Sequence, residues 1–171
     1  MTNRVINMIC ARLVLSRFLT FSIVLFGIAG CLPISSTSAQ EHCSPEMNNR
    51  AVSLLIDARE NWPSLLKHQK KFAVCDDGEL GEGYSDAVVR LFAQKWDQFG
   101  TFAAIATKDP AFQHWAVRHV DATASDDDLH KIILNTNTCA NDVKVASLCK
   151  IIRQSAENAL AESARMQRQG S

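Results

Sequence analysis

Four cysteines, placed downstream of an export signal, limit the folds open to this chain. Two of the six cysteines, Cys10 and Cys31, belong to the N-terminal signal region. The four that remain for the folded part are Cys43, Cys75, Cys139 and Cys149. An even number of cysteines in an exported domain is typical of disulfide bonds. Of the three possible pairings, we expect Cys43–Cys75 with Cys139–Cys149, because each bond then closes a local segment.

The cysteine spacing argues against a metal site and against a redox-active pair. The sequence contains no C-x-x-C, which is the common spacing of zinc ligands and of reactive thiols. We therefore expect the four cysteines to be structural, and we expect neither a metal nor another cofactor.

The first 40 residues have the composition of a secretory signal. Arg4, Arg12 and Arg17 precede or border the apolar run 18–30, no acidic residue occurs in this segment, and a Pro/Ser-rich stretch follows. The apolar run of about 13 residues is shorter than the roughly 20 that a permanent transmembrane helix needs. The segment therefore predicts export rather than a retained anchor.

Two cleavage sites fit this signal. The "IAGC" at residues 28–31 resembles the lipobox of bacterial lipoproteins, and that resemblance implies cleavage after residue 30 and acylation of Cys31. The "TSA" that ends at Ala39 fits ordinary signal peptidase, which would remove residues 1–39. Both remain open. The protein is expected in the bacterial periplasm, or as a lipoprotein of the outer membrane that touches the membrane only through its lipid.

The rest of the chain predicts one domain. Residues 32–42 are rich in Ser, Thr and Pro and are expected to form a flexible tether. Residues 43–163 are expected to form a helical domain, followed by a disordered tail at 164–171. A mature chain of about 130 residues has the usual size of a single domain.

The charge of the mature part bears on its partners. Three of the 18 basic residues lie in the signal, so residues 41–171 keep 15 against 18 acidic residues, a net charge of about −3. Proteins that bind nucleic acid need a basic surface that displaces counterions from phosphates. The sequence therefore predicts no nucleic-acid partner.

Apolar residues recur at spacings of three and four along the mature chain, which predicts helices. The spacing is clear in residues 48–60, 63–73 and 85–105, and again from residue 141. Start signals mark two more helices, at Asp109 before Pro110 and at Ser125 before three aspartates. We therefore expect an all-α fold, a single compact bundle of five or six helices stapled by two disulfides.

The stretch 74–85, "VCDDGELGEGYS", raises the question of a metal loop. An EF-hand loop needs oxygen ligands at positions 1, 3 and 5, Gly at 6 and Glu at 12. Neither Gly78 nor Gly81 at position 6 places those ligands correctly. We interpret the stretch as a glycine-rich turn that ends where Ser85 caps the next helix. Acidic residues on such a loop are candidates for binding a protein partner; they are Asp76, Asp77, Glu79, Glu82 and Asp86.

His119 is the histidine whose role is open. It lies five residues after His114, about 140° away around a helix, so the two cannot bind one metal from the same helix. It shares an apolar stripe with Trp115, which favours a hydrogen-bonded core residue. If it lines a cleft instead, Asp121 and Asp86 are possible carboxylate partners.

The chain lacks the local signatures of most enzymes, namely G-x-S-x-G, H-E-x-x-H and a glycine-rich phosphate loop. We therefore assign no catalytic residue and expect a cell-envelope protein that docks on another protein, as an inhibitor, immunity protein or assembly factor. One alternative is a hydrolase of cell-wall glycan that uses His119 with Glu79, Glu82 or Asp86. Another is a carrier of a small apolar ligand. A solvent-open cleft that joins His119 to a carboxylate would favour the hydrolase, and an internal cavity the carrier.

Overall fold

The computed structural model describes residues 42–139 and 143–170. The proposed signal, both cleavage sites, Cys31 and the tether up to residue 41 lie outside the described residues. The described part is all-helical, as predicted, and its helices pack around one apolar core. Two short 3-10 turns, Ala73–Cys75 and Trp96–Gln98, join helices. The seven helices of this part are α1 Pro45–Ala58, α2 Trp62–Phe72, α3 Gly78–Gln94, α4 Phe99–Lys108, α5 Pro110–Arg118, α6 Asp126–Thr136 and α7 Val143–Gln169.

The predicted count of five or six helices is too low because the single helix expected over 85–105 is two helices. The backbone leaves the helical region at Lys95, with φ −125° and ψ 44°, and the chain resumes as α4 at Phe99. The apolar spacing continues across this break, since Trp96 and Phe99 stack with ring centroids 4.4 Å apart. Periodicity alone therefore could not show the break.

Helix α3 also begins earlier than predicted. It starts at Gly78, where φ is +51°, a conformation that favours glycine. Asp77 is the N-cap residue, and its Oδ1 accepts a hydrogen bond from the Gly78 amide at 2.7 Å. The interpretation of 78–84 as a turn, with Ser85 as the cap, was wrong. Ser85 is a buried residue inside α3.

Side-chain caps set the start of the other helices of the site region. Asp109 accepts from the Phe112 amide at 3.0 Å, with Pro110 as the first residue of α5. Ser125 accepts from the Asp128 amide at 3.2 Å at the start of α6. Both start signals were read correctly from the sequence.

The centre of the domain is filled by aromatic rings. Trp62 packs against Phe92 and Phe102 at centroid distances of 4.7 and 4.5 Å, and those two phenylalanines lie 4.9 Å from each other. All three side chains are fully buried. The carrier hypothesis requires an internal cavity between the helices. These three rings fill that space at the centre of the domain.

Both predicted disulfides are present. Cys43–Cys75 joins the start of α1 to the turn after α2, and Cys139–Cys149 joins the residues after α6 to α7. Disulfides of this kind indicate an oxidising compartment outside the cytosol. Helix α7 continues to Gln169, so most of the segment predicted as a disordered tail is helical. Within 42–139 and 143–170, no helix combines the length and the apolar composition needed to cross a bilayer.

Candidate functional site

The candidate site lies where the first turns of α3 face the end of α5. Asp76 follows Cys75, which the disulfide to Cys43 fixes against α1. Ser85 projects from α3, two turns after its start at Gly78. His119 is the C-cap residue of α5, and Asp121 lies in the connection to α6. Three separate segments of the chain thus supply the polar side chains of one surface.

Asp76 is held by three donors on one oxygen. Its Oδ2 accepts from Trp115 Nε1 at 2.8 Å, from Arg118 at 3.0 Å and from His119 Nε2 at 3.3 Å. Burial by itself raises the pKa of Asp76. The hydrogen bonds from His119 and Trp115 and the electrostatic effects of His119 and Arg118 outweigh burial and hold the pKa of Asp76 below its ordinary value. Asp76 is therefore a buried, ionised anchor for the end of α5.

Ser85 connects His119 to a second carboxylate. Its Oγ lies 3.0 Å from His119 Nδ1 and donates to Asp121 Oδ2 at 2.7 Å. Asp121 Oδ1 accepts from the amide and the hydroxyl of Thr123, at 2.9 and 2.6 Å. A continuous chain of hydrogen bonds therefore runs from Asp76 through His119 and Ser85 to Asp121.

The number of available protons limits the roles in this chain. Ser85 has one hydroxyl proton, which can be donated to Asp121 Oδ2 or to His119 Nδ1. A neutral His119 has one ring N–H, and the Asp76 carboxylate at Nε2 can only accept a hydrogen bond. The direction of the 3.0 Å contact between Ser85 and His119 therefore depends on the tautomer of the ring.

Two adjoining hollows open on these residues. The first has a volume of about 540 Å³ and is lined by Asp76, Asp77, Gly78, Gly81, Glu82, Ser85, Arg118, His119, Asp121 and Thr123. The second, of about 440 Å³, includes Asp86 and Asp128 and shares Glu82 and Thr123 with the first. We call the two hollows together the acidic groove, after its six carboxylates Asp76, Asp77, Glu82, Asp86, Asp121 and Asp128.

The two hollows differ in how their charge is compensated. In the second hollow, Asp86 forms an ion pair with Arg59 at 3.3 Å, and Asp128 forms an ion pair with Lys131 at 2.9 Å. In the first hollow, Asp76 pairs with the Arg118 guanidinium at 3.0 Å, and the His119 ring lies 3.2 Å from the same carboxylate. Within the described part of the chain, the other three carboxylates of the first hollow have no Lys, Arg or His at ion-pair distance: Asp77, Glu82 and Asp121.

The five acidic residues proposed for partner binding lie in different hollows and differ in exposure. Asp77, Glu82 and Asp86 are exposed and line the acidic groove. Asp76 also lines it, but its side chain is only 10% exposed and is used to hold α5. Glu79 is exposed in the first turn of α3 and lines a third hollow, which contains Cys43 and shares Asp77 with the first.

His119 combines the two roles weighed from the sequence. It is buried, with 7% of its surface exposed, and it also lines the first hollow. Of the partners considered for it, Asp121 is reached through Ser85, whereas Asp86 lies in the second hollow. Its direct carboxylate partner is Asp76, 43 residues away in sequence. Sequence reasoning did not assign Ser85, Arg118 or Thr123 to the site, because no local pattern connects them.

A second buried histidine, His68, packs next to the site and contacts Tyr84, the residue before Ser85. His68 Nε2 contacts the carbonyl of Ala51 at 3.0 Å, and His68 Nδ1 contacts the hydroxyl of Tyr84 at 2.9 Å. Because a ring nitrogen facing a carbonyl must donate, Nδ1 of the neutral ring accepts from Tyr84. Burial lowers the pKa of His68, an effect that the bond to Ala51 only partly opposes. Tyr84 precedes Ser85, so this contact fixes α3 against α1 and α2.

Comparisons of the chain with protein-family models, with curated proteins and with solved structures found no match.

Proposed function

We propose that the protein is an exported binding protein of the cell envelope and that its acidic groove docks on a basic surface of a protein partner. The observation that carries this proposal is the charge of Asp77, Glu82 and Asp121, which line one hollow and have no cationic partner among the described residues. Such a surface attracts an oppositely charged partner and orients it during the encounter.

The rigidity of the groove supports a docking role. The Cys43–Cys75 disulfide and the three donors to Asp76 fix the position of Asp76, and the bond from Ser85 fixes Asp121. A surface that is already ordered loses little conformational entropy when it binds. This property suits an inhibitor, an immunity protein or an assembly factor, the three kinds of docking protein considered for this chain.

The disulfides indicate an oxidising compartment, and we propose that this compartment is the periplasm. An oxidising environment and the N-terminal signal together favour the periplasm, with Cys31 as the lipid site if the lipobox is used. The partner would then be another envelope protein, or a basic protein that enters the envelope.

Affinity capture from envelope extract tests the docking proposal. The bait is the domain from residue 41 onward, either unchanged or with Asp77→Asn, Glu82→Gln and Asp121→Asn combined. We expect a protein that binds the unchanged bait and is lost from the triple variant. The matched control carries Asp57→Asn and Asp97→Asn, two exposed carboxylates outside both hollows. Retention of the same proteins by the triple variant would refute the proposal.

The hydrolase remains a second candidate because a specific observation favours it. His119 and Asp76 lie within hydrogen-bond reach and both line a solvent-open hollow, and a glycosidase requires two carboxylates at one site. Glu82 and Asp121 are two of the three carboxylates of that hollow with no cationic partner among the described residues, and this hypothesis assigns them as the acid and the base. The measurement is release of reducing sugar from purified peptidoglycan. Release that disappears with Asp121→Asn supports hydrolysis, and no release by the unchanged domain excludes it for this substrate.

A further inference from the structure

We propose that His68 is a proton-operated switch for the candidate site: proton uptake by its ring reverses the hydrogen bond to Tyr84 and loosens the side chains that hold Asp76. The switch acts on the state of the site and does not depend on which partner or substrate the site takes. It requires that His68 be neutral in the structure, that a protonated ring not fit the present hydrogen bonds, and that Tyr84 connect His68 to the site.

The hydrogen bonds of His68 are those of a neutral ring. Its Nε2 lies 3.0 Å from the carbonyl of Ala51, which can only accept, and its Nδ1 lies 2.9 Å from the hydroxyl of Tyr84. Burial, together with the nearby charge of Asp76, raises the pKa of Tyr84, so the hydroxyl keeps its proton. Tyr84 therefore donates to Nδ1, and this is the one hydrogen bond of its hydroxyl among the described residues.

A second proton on the ring reverses this bond. Nδ1 of a protonated His68 is a donor, so the Tyr84 oxygen has to accept, and the tyrosine proton loses the acceptor that it has in the structure. Tyr84 is fully buried and His68 is only 6% exposed, so water does not replace that acceptor in the present packing. A buried donor without an acceptor is unfavourable. The contact thus has two exclusive arrangements, and one proton decides between them.

The groups that face His68 set the direction of the switch. Burial lowers the pKa of His68, a hydrogen bond to a backbone carbonyl of α1 partly opposes burial, and the charge of Lys71 on α2 lowers the pKa further. Helix α3 contributes only the neutral tyrosine hydroxyl. Beyond that tyrosine, the Asp76 carboxylate is already paired with Arg118 and contacts His119. The ring is therefore neutral in the folded domain above the ordinary value of 6.5 and takes up its proton below it.

Tyr84 connects His68 to the candidate site. The edge of its ring packs against Trp115 and His119, with centroid distances of 5.0 and 5.8 Å. These two side chains form hydrogen bonds with Asp76 Oδ2, at 2.8 and 3.3 Å. Close-packed side chains transmit a displacement, because there is little free space between them to take it up. A change at the tyrosine hydroxyl therefore reaches the residues that hold Asp76.

The test is NMR on the domain from residue 41 onward, at about pH 7.5 and about pH 5, with far-ultraviolet circular dichroism to show that the domain stays folded at both. Nitrogen-15 shifts of the His68 ring report its protonation, and hydrogen exchange of the Trp115 indole N–H reports the hold on Asp76. We expect His68 to gain a proton reversibly in the folded domain. At about pH 5, the indole N–H should exchange at least about 10-fold faster than in a His68→Gln variant at the same pH. At about pH 7.5, the two rates should be equal.

Two variants and a control separate the switch from other effects of pH. His68→Gln offers an amide N–H to the Ala51 carbonyl and cannot be protonated. Tyr84→Phe keeps the packed ring but removes the hydroxyl, so the faster indole exchange at low pH should disappear. His114→Gln changes an exposed histidine of α5 and should behave as the wild type. Comparison at one pH removes the pH dependence of the exchange chemistry itself.

Three results would overturn the inference. If the His68 ring stays neutral until the dichroism signal is lost, proton uptake accompanies unfolding and there is no switch in the folded domain. If the wild type and His68→Gln exchange the indole N–H at the same rate at about pH 5, proton uptake does not reach the site. If Tyr84→Phe keeps the faster exchange, the tyrosine hydroxyl is not the connection. Should His68→Gln fail to fold, the ring shifts and Tyr84→Phe still decide the question.

Discussion

Loss of the Asp76 carboxylate should destabilise the domain through the end of α5. In Asp76→Ala, the indole N–H of Trp115, a residue only 4% exposed, loses its acceptor at 2.8 Å. An unsatisfied buried donor costs about 1–3 kcal/mol. The pair with Arg118 adds little, since that side chain is 59% exposed and exposed ion pairs contribute about 0–1 kcal/mol. With the lost contact to His119, we expect a total near 3 kcal/mol.

The expected loss depends on pH in a defined direction. The pKa of Asp76 in the folded protein lies below its ordinary value of 3.8, so the carboxylate contributes its full stabilisation above that value. The contribution is lost as pH falls from that value through the folded pKa, because the unfolded chain takes up the proton first. The difference in stability between the wild type and Asp76→Asn should therefore shrink below about pH 4 and be smaller at pH 3 than at pH 7.

Urea denaturation followed by far-ultraviolet circular dichroism measures both effects. The free energy of unfolding comes from the midpoint and slope of each curve, and Asp97→Ala is the matched control on an exposed carboxylate. If Asp76→Ala unfolds at the same midpoint as the control, Asp76 does not anchor α5. If the difference from Asp76→Asn is the same at pH 3 and pH 7, the stabilisation does not come from the ionised carboxylate.

Three further outcomes are expected. Replacing both cysteines of the Cys43–Cys75 bond by serine should lower the free energy of unfolding by about 3.7 kcal/mol, because the bond closes a loop of 32 residues. The same change at Cys139–Cys149, which closes a loop of 10 residues, should lower it by about 2.7 kcal/mol. Equal losses in urea denaturation would contradict this dependence on loop length. Burial lowers the pKa of His68, so the unfolded chain gains a proton first and the free energy of unfolding should fall as pH drops below the ordinary value of 6.5. His68→Gln should abolish this fall between pH 7 and pH 5. A His68→Gln variant that keeps the wild-type pH profile would show that His68 does not cause the fall. Glu82→Gln should leave the urea midpoint unchanged while it weakens partner capture, and a change in stability alone would show that Glu82 serves the fold.

The sequence predicted those helices whose start signals and periodicity agree. Asp109 with Pro110, and Ser125 with its aspartates, combine a cap with an apolar stripe, and both helices begin where expected. The start of α3 was missed because three glycines in six residues disfavour a helix by about 1 kcal/mol each. Tertiary packing overcomes that cost: Leu80 and Tyr84 are fully buried, and a Cβ at Gly83 would lie 2.7 Å from Leu55 Cδ2. A side chain at position 83 would therefore force the Leu55 side chain of α1 to shift.

The sequence singled out acidic residues of the candidate groove as candidates for partner binding, but not the hydrogen bonds of its interior. Asp77, Glu82 and Asp86 were singled out because five carboxylates and three glycines cluster in residues 76–86. The bonds from Ser85 to His119 and from His119 to Asp76 span 34 and 43 residues. Contacts of that separation leave no local pattern, so they depend on how α3 and α5 pack.

Photo-crosslinking in intact cells tests most directly whether the acidic groove is a docking surface. A photoreactive residue is placed at Glu82, inside the groove, and separately at Asp97, outside both hollows. We predict that position 82 crosslinks to one protein through a segment that contains lysine or arginine, and that position 97 does not. The same products from both positions, or no product from position 82, would contradict the docking function.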